Sequence, residues 1–280
     1  MHCIFVSDLH GDTTRYTKLF KLVENEKPDG VFIGGDILPG GFGVTGDIDS
    51  FLHDFFLSHI KNLNQLGIKS RFFIILGNDD PRIYEHILQQ ASAEKLIEYV
   101  HNTTVSFGKY FVTGYSFIPP TPFQLKDWEK YDVSQYVDIG VVSPEQGVRT
   151  IAVSKDKIRY STISQDLEVL SKRTPVDKTI FLFHSPPYNS NLDRANLDDQ
   201  MVDHAPVDVH IGSIAIQRFI AKKQPLLTLH GHVHESARIT GFWKERFGNT
   251  YSFNAAHDGS ELALVRFKLD DLGKATRMLM

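Results

Sequence analysis

The stretch FFIILGNDDP, residues 72–81, drives an apolar run straight into an amide, two carboxylates and a proline. Gly, Asn, Asp and Pro all favour turns, so the end of a strand accounts for the composition. A turn alone does not need Asp79 and Asp80 crowded beside Asn78, and such a cluster also suits a place where positive charge is received. The same construction recurs in CIFVSDLHGD (3–12), GVFIGGD (30–36), TIFLFHSPP (179–187) and PLLTLHGHVHES (225–236), where strand-forming residues end in polar groups or glycine. Between these runs, apolar residues fall at helical spacing over about 14–26, 49–66, 81–99, 162–172 and 213–223. Strands alternating with helices imply parallel pairing through right-handed crossovers, and continuous apolar runs imply strands covered on both faces. The fold class is therefore α/β. Residues 103–114 and 236–268 read as shorter antiparallel pieces with turns such as FGKY and HDGS.

No linker, repeat or low-complexity tract divides the 280 residues, so one domain over 1–280 is expected. The Pro- and aromatic-rich segment at about 116–160 fits neither pattern and reads as an irregular excursion beside the active face. The formal net charge of −4 advertises neither an anionic membrane nor long nucleic acid, which is disfavoured as a partner. A single cysteine, Cys3, removes disulfides and cysteine zinc sites and points to a reducing compartment. No apolar stretch approaches the roughly 20 residues of a membrane span. The start MHCIFVSDLHGD has neither the basic lead nor the apolar core of a signal peptide, so a cytoplasmic location is expected. Oligomeric state is left open.

In an open α/β sheet ligands bind beyond the carboxyl ends of the strands. The five runs deliver Asp8 and His10, then Asp36, then Asn78 with Asp79 and Asp80, then His184, and finally His232 and His234. Each motif alone has an ordinary explanation as turn chemistry or a hydrogen-bonded strand-end histidine. Together, at one topological end, they form a metal site. Carboxylates and imidazoles without a thiolate suit manganese first, with iron, zinc, nickel or cobalt as alternatives. Six or seven ligands exceed one closed tetrahedral site and suit two cations that share a carboxylate.

The ordered motifs Asp-x-His (Asp8, His10), Gly-Asp (Gly35, Asp36), Gly-Asn-x-Asp (Gly77, Asn78, Asp80), a single His184, and Gly-His-x-His (Gly231, His232, His234) resemble those of the calcineurin-like metallophosphoesterase superfamily. The resemblance spans residues 8–234 and implies a four-layer α/β/β/α sandwich of two mixed sheets with a dinuclear centre. It assigns Asp8, His10, Asp36 and His234 to one metal and Asn78, His184 and His232 to the other, with Asp36 bridging. The implied activity is hydrolysis of a small phosphate ester by a metal-bridging hydroxide. His184 and His232 would help the cations to stabilise the charge that develops.

Asp79 departs from the pattern, because many relatives carry histidine at that position. A carboxyl beside two dications is expected to be held ionised, which makes it a poor general acid. Phosphodiesters and esters with good leaving groups are then the expected substrates, with a phosphomonoesterase or a non-catalytic scaffold of the same fold as alternatives. Asp79 also reads as a cap for a helix starting near Pro81. GFGVTG (41–46) matches a dinucleotide fingerprint in form only, since it starts five residues after Asp36, and is read as a loop over the site. Tyr188 and Arg194, in the loop after His184, are the candidate substrate-binding residues beside Asn78. Ser213 reads as an N-cap or a phosphate seat.

Overall fold

A computed structural model describes residues 1–40, 47–202 and 204–280; GFGVTG lies outside them. Strands β1 (His2–Val6), β2 (Gly30–Gly34), β3 (Arg71–Ile75) and β4 (Glu98–Tyr99) pair in parallel. Further along the chain come β5 (Thr104–Phe107), β6 (Tyr110–Tyr115), β7 (Thr179–Phe183), the small ribbon β8 (Met201–Val202) with β9 (Ala205–Pro206), and β10 (Leu227–His230). The last strands are β11 (Lys244–Phe247), β12 (Thr250–Asn254), β13 (Ala263–Lys268) and β14 (Asp271–Leu279). They form two mixed six-stranded sheets, ordered β14-β13-β1-β2-β3-β4 and β11-β12-β10-β7-β6-β5.

The side-chain period of two builds the layers. Cys3, Phe5, Phe32, Phe73 and Ile75 of the first sheet meet Ile180, Leu182, Leu227, Leu229 and Phe253 of the second in one apolar cluster. Their neighbours Ile4, Val6, Val31, Ile33 and Ile74 face the other way, in a cluster with Tyr16, Leu19, Phe20 and Val23 of helix α1 (Thr13–Glu26). On the second sheet Phe181 packs edge-on against Phe219, ring centroids 4.9 Å apart, in a helix spanning Ile214–Lys223. The result is α/β/β/α.

Two expected helices differ. The apolar pattern over 81–99 is a 3-10 turn and a helix, Glu85–Ala93, after which Glu98 and Tyr99 join the sheet as β4. Pairing Tyr99 to Ile74 carries the chain back to the sheet edge and overrides the helical spacing. The stretch 49–66 is helical, but Phe51–Phe56 is wound as a π-helix. The excursion is held by isolated bridges, Ile118 to Glu129, Leu125 to Val148 and Tyr131 to Thr162, and by one short helix, Lys155–Tyr160. Among the described residues no helix is long and apolar enough to cross a membrane.

Candidate metal centre

Parallel register sets the site. Val6 lies opposite Ile33, and Gly34 opposite Ile75, so the loops after β1, β2 and β3 leave the sheet side by side. The ladder continues into those loops, with Asp8 N donating to Gly35 O at 3.0 Å and His10 N to Asp36 O at 2.8 Å. The loops after β7 and β10, joined by Gly231 N donating to His184 O at 2.9 Å, meet them through His184 Nδ1, 2.8 Å from Gly34 O.

The backbone here is strained in a specific way. Asp8 (φ 57°), His10 (φ 46°), Asp36 (φ 51°) and His232 (φ 73°) all occupy the left-handed region that costs a side-chain-bearing residue free energy. Two glycines permit the close approach. A Cβ on Gly77 would collide with the Asp36 carboxylate, and one on Gly231 would lie 2.5 Å from Asp8 Oδ2.

Asp8, His10, Asp36 and His234 each offer a donor atom, and these atoms lie within 4.8 Å of one another. His234 Nε2 is 3.2 Å from His10 Nε2 and 3.2 Å from Asp8 Oδ1, while His232 N donates to the same Asp8 carboxylate at 3.0 Å. Asp36 divides its oxygens, Oδ1 accepting from Asp79 N at 2.8 Å and Oδ2 lying 3.2 Å from His184 Nε2. Asn78 Nδ2 donates to Asp79 Oδ1 at 2.7 Å, which turns Asn78 Oδ1 toward His184 Nε2 at 3.0 Å. The rings of His184 and His232 lie 5.3 Å apart.

His184 shows what these groups require. Its Nδ1 sits 2.8 Å from Gly34 O and so carries the hydrogen, leaving Nε2 aimed at two oxygen acceptors. Three lone pairs converging on one point call for a proton or a cation. Burial lowers the basicity of His184, but the Asp36 carboxylate outweighs it and raises the pKa to about 10. Burial likewise pushes the Asp8 and Asp36 carboxyls up, and the imidazole partners, His234 for Asp8 and His184 for Asp36, overcome it and hold both below the usual range. Burial, reinforced by the charge on His184, pushes His232 down to about 3, which leaves it neutral, the form that ligates. Oxygen and imidazole donors at this density, among the described residues, fit borderline divalent cations.

Asp79 departs from one expectation. It does not cap a helix: Arg82 N is taken by Asp127 Oδ2 at 2.8 Å. The protein's own groups alone, burial first and then Asp36, push its carboxyl up to about 7; cations beside it would act in the opposite direction, as the sequence reading expects. Asp80, to which sequence reasoning gave no role, is wholly buried and accepts from Ile37 N, Leu38 N and Gly77 N at 2.8–3.1 Å. It ties the loop carrying Asp36 to the loop carrying Asn78; the Gly-Asn-x-Asp spacing was its only signal. The opening crowd of polar residues therefore divides two ways: Asn78 and Asp79 face the site, and Asp80 braces the loops that carry it.

Arg194 does not line the cleft beside these groups; its guanidinium bonds Ala195 O and the Asp198 carboxylate. Tyr188 does line it, with its hydroxyl donated to Asp208 Oδ2 at 2.7 Å. Ser213 caps the Ile214–Lys223 helix, and the seat for an anion there is filled by Asp132, which accepts from Ser213 Oγ at 2.6 Å and Ile214 N at 2.7 Å.

Among solved structures, a Thermus thermophilus protein superposes with a TM-score of 0.58 at 18% identity, covering 99% of this chain and 98% of its own. A dimetal phosphatase from Danio rerio superposes with a TM-score of 0.52 at 11% identity, covering 95% and 91%. At such identities the likeness is one of fold. No curated protein matches the chain. The family model described as calcineurin-like phosphoesterase matches residues 1–236, and the chain belongs to that family.

Proposed function

We propose that the chain is a phosphoesterase dependent on two divalent cations, manganese foremost, that prefers phosphodiesters or other phosphate esters with good leaving groups. The observation that carries this reading is the cluster of Asp8, His10, Asp36 and His234, with His184 Nε2 against the second oxygen of Asp36. Asp8, His10, Asp36 and His234 would hold one cation, and Asp36, Asn78, His184 and His232 the other. Such ions, when bound, polarise a phosphoryl group and bring the ionisation of water close to neutrality.

The chain's own residues do the positioning. Gly34 O fixes the tautomer and orientation of His184, and His232 N holds the Asp8 carboxylate in place. Asp79 reaches toward the site, its Oδ2 3.8 Å from His10 Nδ1. Opposite charge beside it favours the carboxylate over the acid, so it has no proton to give a leaving oxygen. Leaving groups that need none are then hydrolysed best, which supports diesters with acidic leaving groups over alkyl monoesters. A lone, buried Cys3 suits a reducing compartment, and we place the chain in the cytoplasm.

The test compares bis-p-nitrophenyl phosphate with p-nitrophenyl phosphate, using protein stripped by chelator and refilled with manganese, alongside His184→Ala. The reading predicts manganese-dependent turnover that favours the diester and is lost in the variant. Preference for the monoester would overturn the diester assignment, and no turnover of either would overturn the enzymatic one.

A further inference from the structure

The metal centre opens into a cavity of about 1120 Å³, just above the roughly 300–1,000 Å³ typical of small-molecule pockets. We propose that the phosphoester handled here carries one large apolar substituent, seated in this cavity with the phosphoryl group at the centre. The inference rests on the phosphoesterase reading and names its substrate class.

Much of the lining beyond the candidate ligands is apolar. Phe123, Val137 and Ile139 of the excursion face the cavity together with Leu197, Val202 and Val207. Phe123 is 56% exposed and Ile139 52%, so large apolar side chains are left facing solvent around an opening that leads to the candidate ligands. Large apolar side chains exposed around a cavity mouth suit a binding site.

Charge narrows the occupant further. Besides the candidate ligands and Asp79, the cavity is lined by Asp12, Asp132, Asp138, Asp208, Glu235 and Asp258, against Arg15 and Arg238 among its described residues. Both guanidiniums are engaged, Arg15 with the carbonyls of Asp8 and Gly259, and Arg238 with Asp258 at 2.7 Å. A polyphosphate or a nucleic-acid strand would meet more carboxylates than guanidiniums beyond the centre, and both guanidiniums already have partners within the protein. An uncharged hydrocarbon or aryl group suffers no such repulsion.

The part of the excursion next to Phe123 is anchored. Lys126 and Glu129 form a fully buried pair behind it, Thr121 N donates to Glu129 Oε2 at 2.7 Å, and Lys126 Nζ donates to Thr121 O at 2.8 Å. Asp132, on the same segment, is clamped to the Ile214–Lys223 helix as described above. The segment carrying Phe123 is thus tied down on both sides of that residue, which lowers the ordering cost of binding against it.

The test is a series of alkyl p-nitrophenyl phosphates, methyl, butyl and octyl, on the manganese-loaded protein. kcat/KM is expected to rise with chain length, by up to about fourfold for each methylene that becomes fully buried. A flat series in which the methyl ester is still turned over would overturn the proposal and leave the phosphoesterase reading intact. If no ester is hydrolysed, that reading fails, and calorimetry with methyl-, butyl- and octylphosphonate decides the cavity proposal. Tightening with length upholds it; equal binding, or none, overturns it. Ile139→Asp is expected to keep methyl-ester turnover and lose the gain with length, and survival of the gain would refute the placement. Should that variant not fold, Phe123→Ser, at another exposed wall position, carries the same expectation.

Discussion

Asp80 is the residue whose removal the structure prices most directly. Its two oxygens serve three buried backbone donors: Oδ1 takes Ile37 N at 3.0 Å and Leu38 N at 2.8 Å, while Oδ2 takes Gly77 N at 2.8 Å and Ile37 N at 3.1 Å. Burial, then the charge on Asp36, pushes the carboxyl up to about 8 against these bonds. In Asp80→Asn only one position keeps an accepting oxygen, so either Leu38 N or Gly77 N is left facing an NH₂ group. A stranded buried donor costs about 1–3 kcal/mol. Asp80→Ala strands all three, for about 3 kcal/mol or more, a large part of the roughly 5–15 kcal/mol that holds a domain together. The assay is urea unfolding of metal-free protein, where wild type, Asn and Ala should fall in that order. Manganese affinity should drop about 10- to 100-fold in Asp80→Asn as the Asp36 and Asn78 loops lose their tie. An alanine variant within 1 kcal/mol of wild type would refute the reasoning.

Gly77→Ala and Gly231→Ala place a methyl group against the carboxylates of Asp36 and Asp8, and each should weaken manganese binding by about 10- to 100-fold in equilibrium dialysis. His101 is buried, and burial, reinforced by Arg82 and Lys130, holds its pKa well below 6.5, so it stays neutral in the fold. Its contribution is complete above pH 6.5 and is lost as the pH falls, because only the unfolded chain takes up the proton, at up to about 1.4 kcal/mol per pH unit. Urea midpoints between pH 6.5 and 5 should therefore decline more steeply in wild type than in His101→Gln; parallel declines would contradict the assignment. Asp79→His supplies a group that holds its proton more readily than an ionised carboxylate, and should raise turnover of alkyl esters relative to aryl esters by roughly tenfold or more. An unchanged ratio would show that residue 79 does not assist the leaving group.

The strand ends were readable from sequence because their signal is local. Each apolar run stops within a residue or two of its polar group, and parallel register carries that coincidence into space, as with Val6 beside Ile33 and Gly34 beside Ile75. Residues 116–160 were not readable, since their order comes from partners far along the chain. Asp132 binds backbone more than 80 positions away at Ile214 and Ala215, and Trp128 Nε1 donates to Asp80 O at 2.8 Å across 48 positions. The helical spacing of Ile87, Leu88 and Ala91 runs on to Ile97, and only the pairing of Tyr99 with Ile74 shows where the helix must stop. Tyr188 and Arg194 looked equivalent as polar residues in one loop, yet one lines the cavity and the other turns to Asp198. Nothing within ten residues of either distinguishes them. Asp80 stood in plain view, and its role depended on three backbone donors that no side-chain pattern records.

The central claim is that two donor sets sharing Asp36 hold two cations. Equilibrium dialysis of the stripped protein against manganese, with elemental analysis of the bound metal, tests it most directly. The account predicts two ions per chain in wild type, one in His184→Ala, and loss of both from tight binding in Asp36→Ala. A single ion in wild type, or full binding after Asp36 is removed, would contradict it.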